Sequence, residues 1–361
     1  MNPGTIWWNQ IGSSLKYLSL ITEHLRDRHS AILQVLSPFP WREDFYAAVN
    51  MKRAAFDGER RLKRLPWEEG SDPGRFVLTE LCPQDVQAEY WPGQTYAEYL
   101  ASKDNLIICD YYVWVTGVRN KADLIKWAEF IIQYRHCAGV REQQAVFIVE
   151  YHGTPVDIHG LDQIPYTIGR NDCRVFCLEL ASALSNADYL EYQAELALCI
   201  AGEQPELCSA MLQAGGRLLR EPVKTTEEII ANYRSADGRA FSFMTEQQIS
   251  SSVWRAAIVI LFPIMEQYRL EIVSKNKEEL ARHLPISNSY GEMVTDPLEL
   301  EIGSVYYIAC SSGNRRFTPE DMDGIRLCRN GRNLLAHNKP IPYGDVCKIM
   351  LLQPDKRLVR K

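Results

Sequence analysis

Two runs of residues limit the folds open to this chain. Residues 106–115 (LIICDYYVWV) and 144–151 (QAVFIVEY) are almost unbroken series of β-branched, aromatic and aliphatic side chains. A strand that is apolar on both faces has to be covered on both faces, as in a mostly parallel sheet enclosed by helices. The neighbouring segments fit that plan. Residues 30–36 (SAILQVL) form a buried strand stopped by Pro38 and Pro40, and 61–65 alternate leucine with basic residues. Residues 76–81 and 175–180 (VFCLEL) are read as further strands. Residues 11–27, 43–56 and 122–134 read as helices between them.

From residue 185 the pattern is helical: 185–201, 205–214, 225–235 and a long helix over 246–275. In the last, Ile249, Val253, Ala256, Ile260, Ile264 and Tyr268 keep a 3–4 spacing, and Pro263 predicts a kink. A polar loop at 285–297, a helix from the stretch DPLELEIGSVYYIACSS, and a helix opened by Thr318 as N-cap and Pro319 at N1 complete the chain. The expected division is an α/β domain at 1–182, a helical connector at 183–244 and an all-α domain at 245–361.

The chain has 361 residues, enough for two domains and conceivably three, with 46% hydrophobic and 24% charged residues. A net charge of -6 argues against general coating of nucleic acid but leaves room for a local basic groove. Arg315, Arg316, Arg326, Arg329 and Arg332 are such a local excess, set against Glu320, Asp321 and Asp323. The N-terminus lacks a basic region followed by an apolar run, and the longest apolar run, 256–262, is far short of a membrane span. A cytoplasmic protein without membrane contact is expected. The ten cysteines include no CxxC pair and read as buried free thiols; Cys173 and Cys177 are expected on one face of a strand.

The chemistry-bearing stretch is 325–338, IRLCRNGRNLLAHN. It reads as the end of an amphipathic helix. Ile325, Leu327, Cys328, Leu334 and Leu335 are apolar, Asn338 is the C-cap, and Pro340 forbids continuation. Within it lies Arg332-Asn333-x-x-x-His337. A guanidinium suits a phosphate, and an imidazole titrates near neutral pH and serves as acid or base. Asn333 and His337, at i and i+4, share a face. Arg332 and His337 stand about 140° apart around the helix, so one copy does not close a compact site. The plain alternative is that His337 serves the helix dipole and Arg332 is an ordinary surface residue.

This stretch resembles the RX4–6H motif of the HEPN superfamily, whose active members are metal-independent ribonucleases. The resemblance extends over about 115 residues, through W-R-A…F-P…E-Q-Y-R in the long helix, L-E-I-G, and R-N-L-L-A-H. It implies that Arg332 binds the scissile phosphate, His337 handles protons or charge there, and Asn333 orients them. Arg326 and Arg329 would contact RNA, and two copies would face each other across a groove in a homodimer. Residues 1–180 resemble the inactive STAND-type domains of bacterial conflict systems, which keep a P-loop ATPase sheet without the Walker lysine. The features that carry this are the WWNQI helix start, LIICDYYVWV, KWAEFIIQY and QAVFIVEY. The implication is a sensing or docking domain without ATP turnover.

The expected fold is therefore a P-loop-NTPase-like, mostly parallel sheet without Walker motifs, followed by a HEPN-like bundle. The expected function is a metal-independent endoribonuclease effector of a bacterial defence system, needing no cofactor and no metal. The alternative is a non-catalytic dimerisation or partner-binding adaptor of the same kind of system. Neither G-x4-G-K-[ST] nor GxGxxG nor GxSxG occurs. Asp110, ending an apolar strand, is read as a turn cap. His152, Asp157 and His159 are read as loop surface residues and not as metal ligands. Trp7 and Trp8 are read as a buried or interface anchor.

Overall fold

The computed structural model describes residues 2–102, 107–139, 144–184, 189–287, 291–311 and 317–353. It has two compact units, Met1–Asp172 and Cys173–Lys361.

The first unit is an α/β layer structure. In chain order it contains α1 (Pro3–Gln10), α2 (Gly12–Arg26), β1 (Ala31–Val35), α3 (Arg42–Ala54), β2 (Arg61–Pro66), α4 (Pro73–Leu81), α5 (Gln84–Ala88), α6 (Tyr96–Ser102), β3 (Tyr111–Val118), α7 (Lys121–Ala138), β4 (Val146–Tyr151) and β5 (Asp162–Tyr166). The sheet order is β2-β3-β4-β1-β5, and every strand pairing in it is parallel. The period of two divides the side chains between two cores. Val113, Val115, Phe147 and Val149 pack with Trp127, Phe130, Ile131 and Tyr134 of α7. On the other face Trp8, Tyr17, Phe39, Phe45, Tyr46, Trp114 and Tyr166 form an aromatic layer with ring centroids 4.4–6.2 Å apart. Trp7 and Trp8 are buried, donating to the Tyr166 hydroxyl (3.2 Å) and to the Pro40 carbonyl (2.8 Å).

Three local expectations are corrected here. Residues 76–81 are not a strand but the body of α4, which Asp72 caps by accepting the Arg75 N–H (2.8 Å) ahead of Pro73. Residues 175–180 are helical too, within α8 (Arg170–Leu184). Its buried positions Cys173, Phe176, Cys177, Leu180 and Ala181 follow 3.6 residues per turn, so the two cysteines share a helix face. The strand that closes the sheet is β5, whose sequence DQIPY hides it. Pro165 is tolerated because β5 is an edge strand, and only Ile164 and Tyr166 are buried. Asp110 lies in a 3-10 turn at the amino end of β3, the end opposite to that where parallel sheets bind ligands.

The second unit is helical. After α8 come α9 (Leu190–Ala201), α10 (Pro205–Gln213), α11 (Gly216–Arg220), α12 (Pro222–Asn232), α13 (Glu246–Lys275), α14 (Lys277–Ala281), the two-residue strands β6 (Ile286–Ser287) and β7 (Met293–Val294), α15 (Ile302–Ser311), α16 (Pro319–Ala336) and α17 (Tyr343–Met350). Helix α13 is the axis, packed against α9, α12, α16 and α17. Helices α9 to α12 fall within this unit, and α9 lies along α13. Thr245 opens α13 with a capping box to Gln248. Pro263 sits inside the helix on an exposed side with Val259, so the carbonyl that loses its donor faces water. By length and composition α13 would suffice to cross a membrane, yet Ile249, Val253, Ala256, Ala257, Leu261 and Met265 are buried within this unit.

Candidate functional site

Helix α16 is fixed at both ends. At its start the Thr318 hydroxyl accepts the Asp321 N–H, and the Asp321 carboxylate accepts the Thr318 N–H, both at 3.1 Å. The same carboxylate takes Lys275 Nζ from the end of α13 at 2.7 and 2.9 Å. Burial acts to raise the Asp321 pKa, but the Lys275 ammonium and the Thr318 donors prevail and hold it below the usual carboxylate range. At the other end His337 is the C-cap residue and Asn338 takes a left-handed φ of 54°. Asn338 N–H then reaches the Leu335 carbonyl (3.1 Å), and Lys339 N–H reaches that of Leu334 (2.9 Å). That is a Schellman motif. Trp254 Nε1 from α13 donates to the Leu335 carbonyl at 2.9 Å.

Packing between these ends depends on close approach. Gly324 and Gly331, seven residues apart, fall on one face of α16. A Cβ at Gly324 would lie 2.1 Å from the Tyr268 hydroxyl, and one at Gly331 would lie 2.7 Å from the Met265 sulfur. Ile325, Cys328 and Leu335 are buried on the same side, whereas Leu327 and Leu334 are half-buried.

The frame presents the motif as follows. Asn333 and His337 are exposed on the last turn. Arg332 points elsewhere: its Nε lies 3.8 Å from Glu266 Oε1 of α13, and its side chain is 29% exposed. Glu266 Oε2 takes Arg269 Nε at 2.9 Å, and Arg269 Nη1 donates to the carbonyls of Leu298 and Leu300. Arg329 lies over the Tyr306 ring, 4.7 Å from its centroid, and Arg326 pairs with Asp323 at 3.4 Å. Arg315 and Arg316 lie outside the described residues. Within one chain, therefore, Asn333 and His337 come together and Arg332 turns toward α13. The sequence pattern did not single out Glu266, Arg269 or Trp254 as partners. The signal was a glutamate and an arginine set inside an apolar helix.

The carboxyl edge of the sheet is the other place where chemistry concentrates, as parallel sheets favour. Glu150, near the end of β4, is fully buried. Its carboxylate accepts from Trp114 Nε1 (2.6 Å), the Tyr46 hydroxyl (2.6 Å) and the Arg42 guanidinium, and His152 Nε2 stands 3.6 Å away. Burial and the adjacent carboxylate push the Tyr46 phenol far up, and Glu150 holds Arg42 above its ordinary value despite desolvation. Arg42 and Tyr46 come from α3, which follows β1. The group is internally satisfied: one carboxylate, one guanidinium, and neutral donors completing the set. His159 instead pairs loosely with Asp157 on exposed loop (3.9 Å), apart from His152's contact with Glu150. Among the described residues no cluster of three or more His, Cys, Asp or Glu side chains is placed to hold a metal ion.

No protein-family model and no curated protein matches the sequence. Among solved structures the chain is similar to Cdc6p from Pyrobaculum aerophilum, over 97% of this chain and 96% of that one, at 13% identity and a TM-score of 0.37.

Proposed function

We propose that the second unit is a HEPN-like ribonuclease module that works as a homodimer, and that the first unit senses or docks a partner without turning over nucleotide. The observation that carries the reading is the end of α16. A Schellman motif and Trp254 hold Asn333 and His337 outward on one turn, with the half-exposed Arg332 one residue away. In this reading the 2′-hydroxyl of RNA attacks the adjacent phosphorus and the bond to the 5′-oxygen breaks, leaving a 2′,3′-cyclic phosphate; His337 takes the proton of the attacking hydroxyl and returns it to the departing 5′-oxygen, and Arg332 balances the charge that develops on the phosphate oxygens. The second copy supplies what one helix, with its 140° offset, lacks. Support for a copy-to-copy face comes from α13, where Val259, Phe262, Pro263 and Leu270 form an outward apolar stripe flanking Glu266. For the first unit, the parallel sheet with β1 in its interior supports the P-loop-like architecture, and the Arg42–Glu150 pair beside β1 supports the absence of turnover.

The adaptor reading has its own observation: Arg326, Arg329 and Arg332 each already have a partner on the protein. RNA cleavage by the full chain, measured with EDTA present, separates the two. The nuclease reading expects metal-independent cleavage that is lost in Arg332→Ala and His337→Ala, and a dimer by sedimentation. A folded dimer that is inert on a panel of single-stranded RNAs, with and without cell extract to supply a trigger, favours the adaptor.

A further inference from the structure

The three arginines of α16 differ in what holds their charge. Arg326 pairs with Asp323, and Arg332 faces Glu266. Arg329 has no carboxylate partner among the described residues: its Cζ lies over the Tyr306 ring of α15, 4.7 Å from the centroid. Arg329 and Tyr306 are both half-buried. A ring face attracts a guanidinium but offers no oxygen to its five N–H donors. Charge withdrawn from water is ordinarily paired, so a half-buried guanidinium held in place without an anion is prepared to receive one.

Arg329 is also the arginine that shares a face with the outward motif residues. Positions 329, 333 and 337 step by about 40° around the helix, and 326 falls within the same sector of about 80°. Arg332 lies outside it, about 140° from His337. Arg326, Asn333 and His337 are exposed, and no acidic residue of α16 falls in the sector. One chain therefore presents two guanidiniums, an amide and an imidazole in a row about 16 Å long. With a net charge of -6 the chain has no general basic surface to extend that row. A row so short suits a few nucleotides of one strand, whereas duplex RNA is read by shape over about 16 base pairs.

We propose that Arg329 binds a phosphate of single-stranded RNA on the face that carries Asn333 and His337, with Tyr306 as the residue that positions its guanidinium. Arg329 and His337 are separated by about 12 Å along the axis, so Arg329 serves a phosphate flanking the one at His337. The strand is then held along one chain, and Arg332 is left to the cleavage step. The inference rests on the ribonuclease reading for its ligand, and its test reads binding without cleavage.

The probe is a short labelled oligouridylate with 2′-O-methyl sugars, which lacks the attacking hydroxyl. Its affinity for the full chain is followed by fluorescence anisotropy between about 50 and 200 mM salt. Arg329→Gln should weaken binding at least about fivefold at the low-salt end and reduce the slope of log affinity against log salt by about 0.7, the loss of one phosphate contact on a single strand. Arg329→Lys keeps the charge and should keep the slope. Tyr306→Leu should weaken binding and Tyr306→Phe should restore it, because the ring and not the hydroxyl holds the guanidinium. Lys277→Gln, an exposed lysine on α14, should change neither affinity nor slope. Should Arg329→Gln fail to fold, Arg329→Met decides, since a thioether packs well against the ring. A wild-type chain that does not bind the probe, or an affinity and slope unmoved by removing the Arg329 charge, overturns the proposal. Cleavage of unmodified RNA that is lost in His337→Ala while binding ignores Arg329 overturns it too and leaves the ribonuclease reading standing. Binding that depends on Arg329 in a chain that never cleaves supports it and removes the ribonuclease reading instead.

Discussion

Arg332 Nε on α16 stands 3.8 Å from Glu266 Oε1 on α13, and that oxygen is buried with no hydrogen bond of its own. The contact is an ion pair too long for a hydrogen bond, so it restrains the guanidinium without occupying its donors. A phosphate and Glu266 would therefore compete for one cation. Under the nuclease reading, Glu266→Gln should tighten binding of single-stranded RNA several-fold in an anisotropy titration. Arg332→Ala should weaken it and lower cleavage by about 10²–10³-fold, the usual loss when one charge-stabilising donor goes. His337→Ala should cost about 10²–10⁴-fold in rate with binding little changed. RNA affinity indifferent to both the Glu266 and the Arg332 substitution would remove the phosphate role.

The glycine pair on α16 predicts unequal costs. Gly324→Ala drives a Cβ into the Tyr268 hydroxyl, at the end of a rigid ring, and should destabilise by about 1–3 kcal/mol in urea unfolding. Gly331→Ala meets the flexible Met265 side chain, and the better helix propensity of alanine, about 1 kcal/mol, offsets much of the clash. Equal losses at the two positions would contradict this account of the packing.

Glu150 is the residue whose loss should hurt the first unit most. Glu150→Ala leaves Arg42, Tyr46 and Trp114 without their common acceptor, and breaking a buried pair from one side costs about 3–5 kcal/mol. Glu150→Gln retains an acceptor and should cost less. Chemical denaturation followed by tryptophan fluorescence measures both. The wild-type chain lacks a G-x4-G-K-[ST] loop and should give no heat with Mg-ATP; a micromolar dissociation constant there would overturn that expectation.

Asp321 gives the second unit an acid-sensitive joint. Its folded pKa is lowered, so its contribution is complete above the unfolded carboxylate value near 3.9 and is lost as pH falls through the lower folded value. Wild-type stability should therefore drop steeply below about pH 4. Asp321→Asn should cost about 1 kcal/mol at pH 7 and flatten that acid limb in a series of thermal melts. An unchanged slope between pH 5 and pH 2 would show that the Lys275 contact carries no stability.

The sequence by itself determined the elements whose signal is local. Residues 31–35, 111–115 and 146–151 of the apolar runs lie in β1, β3 and β4, whereas 107–110, read as part of the same strand, form a 3-10 turn. The long helix over 246–275 and the Thr318-Pro319 start appear at the expected residues, because capping and 3.6-residue spacing are written within a few turns of chain. Tertiary structure decided the rest. Residues 76–81 and 175–180 read as strands from their apolar content; the Asp72–Pro73 start makes the first part of α4, and burial at Cys173, Phe176, Cys177, Leu180 and Ala181 makes the second part of α8. Strand β5 carries a proline and two buried side chains, so its existence depends on β1 offering an edge. The motif residues were visible in the chain, but not that Arg332 would face Glu266 while His337 and Asn333 turn outward. That split follows from which face of α16 the two glycines allow against α13, a contact between residues some sixty positions apart that no local pattern encodes.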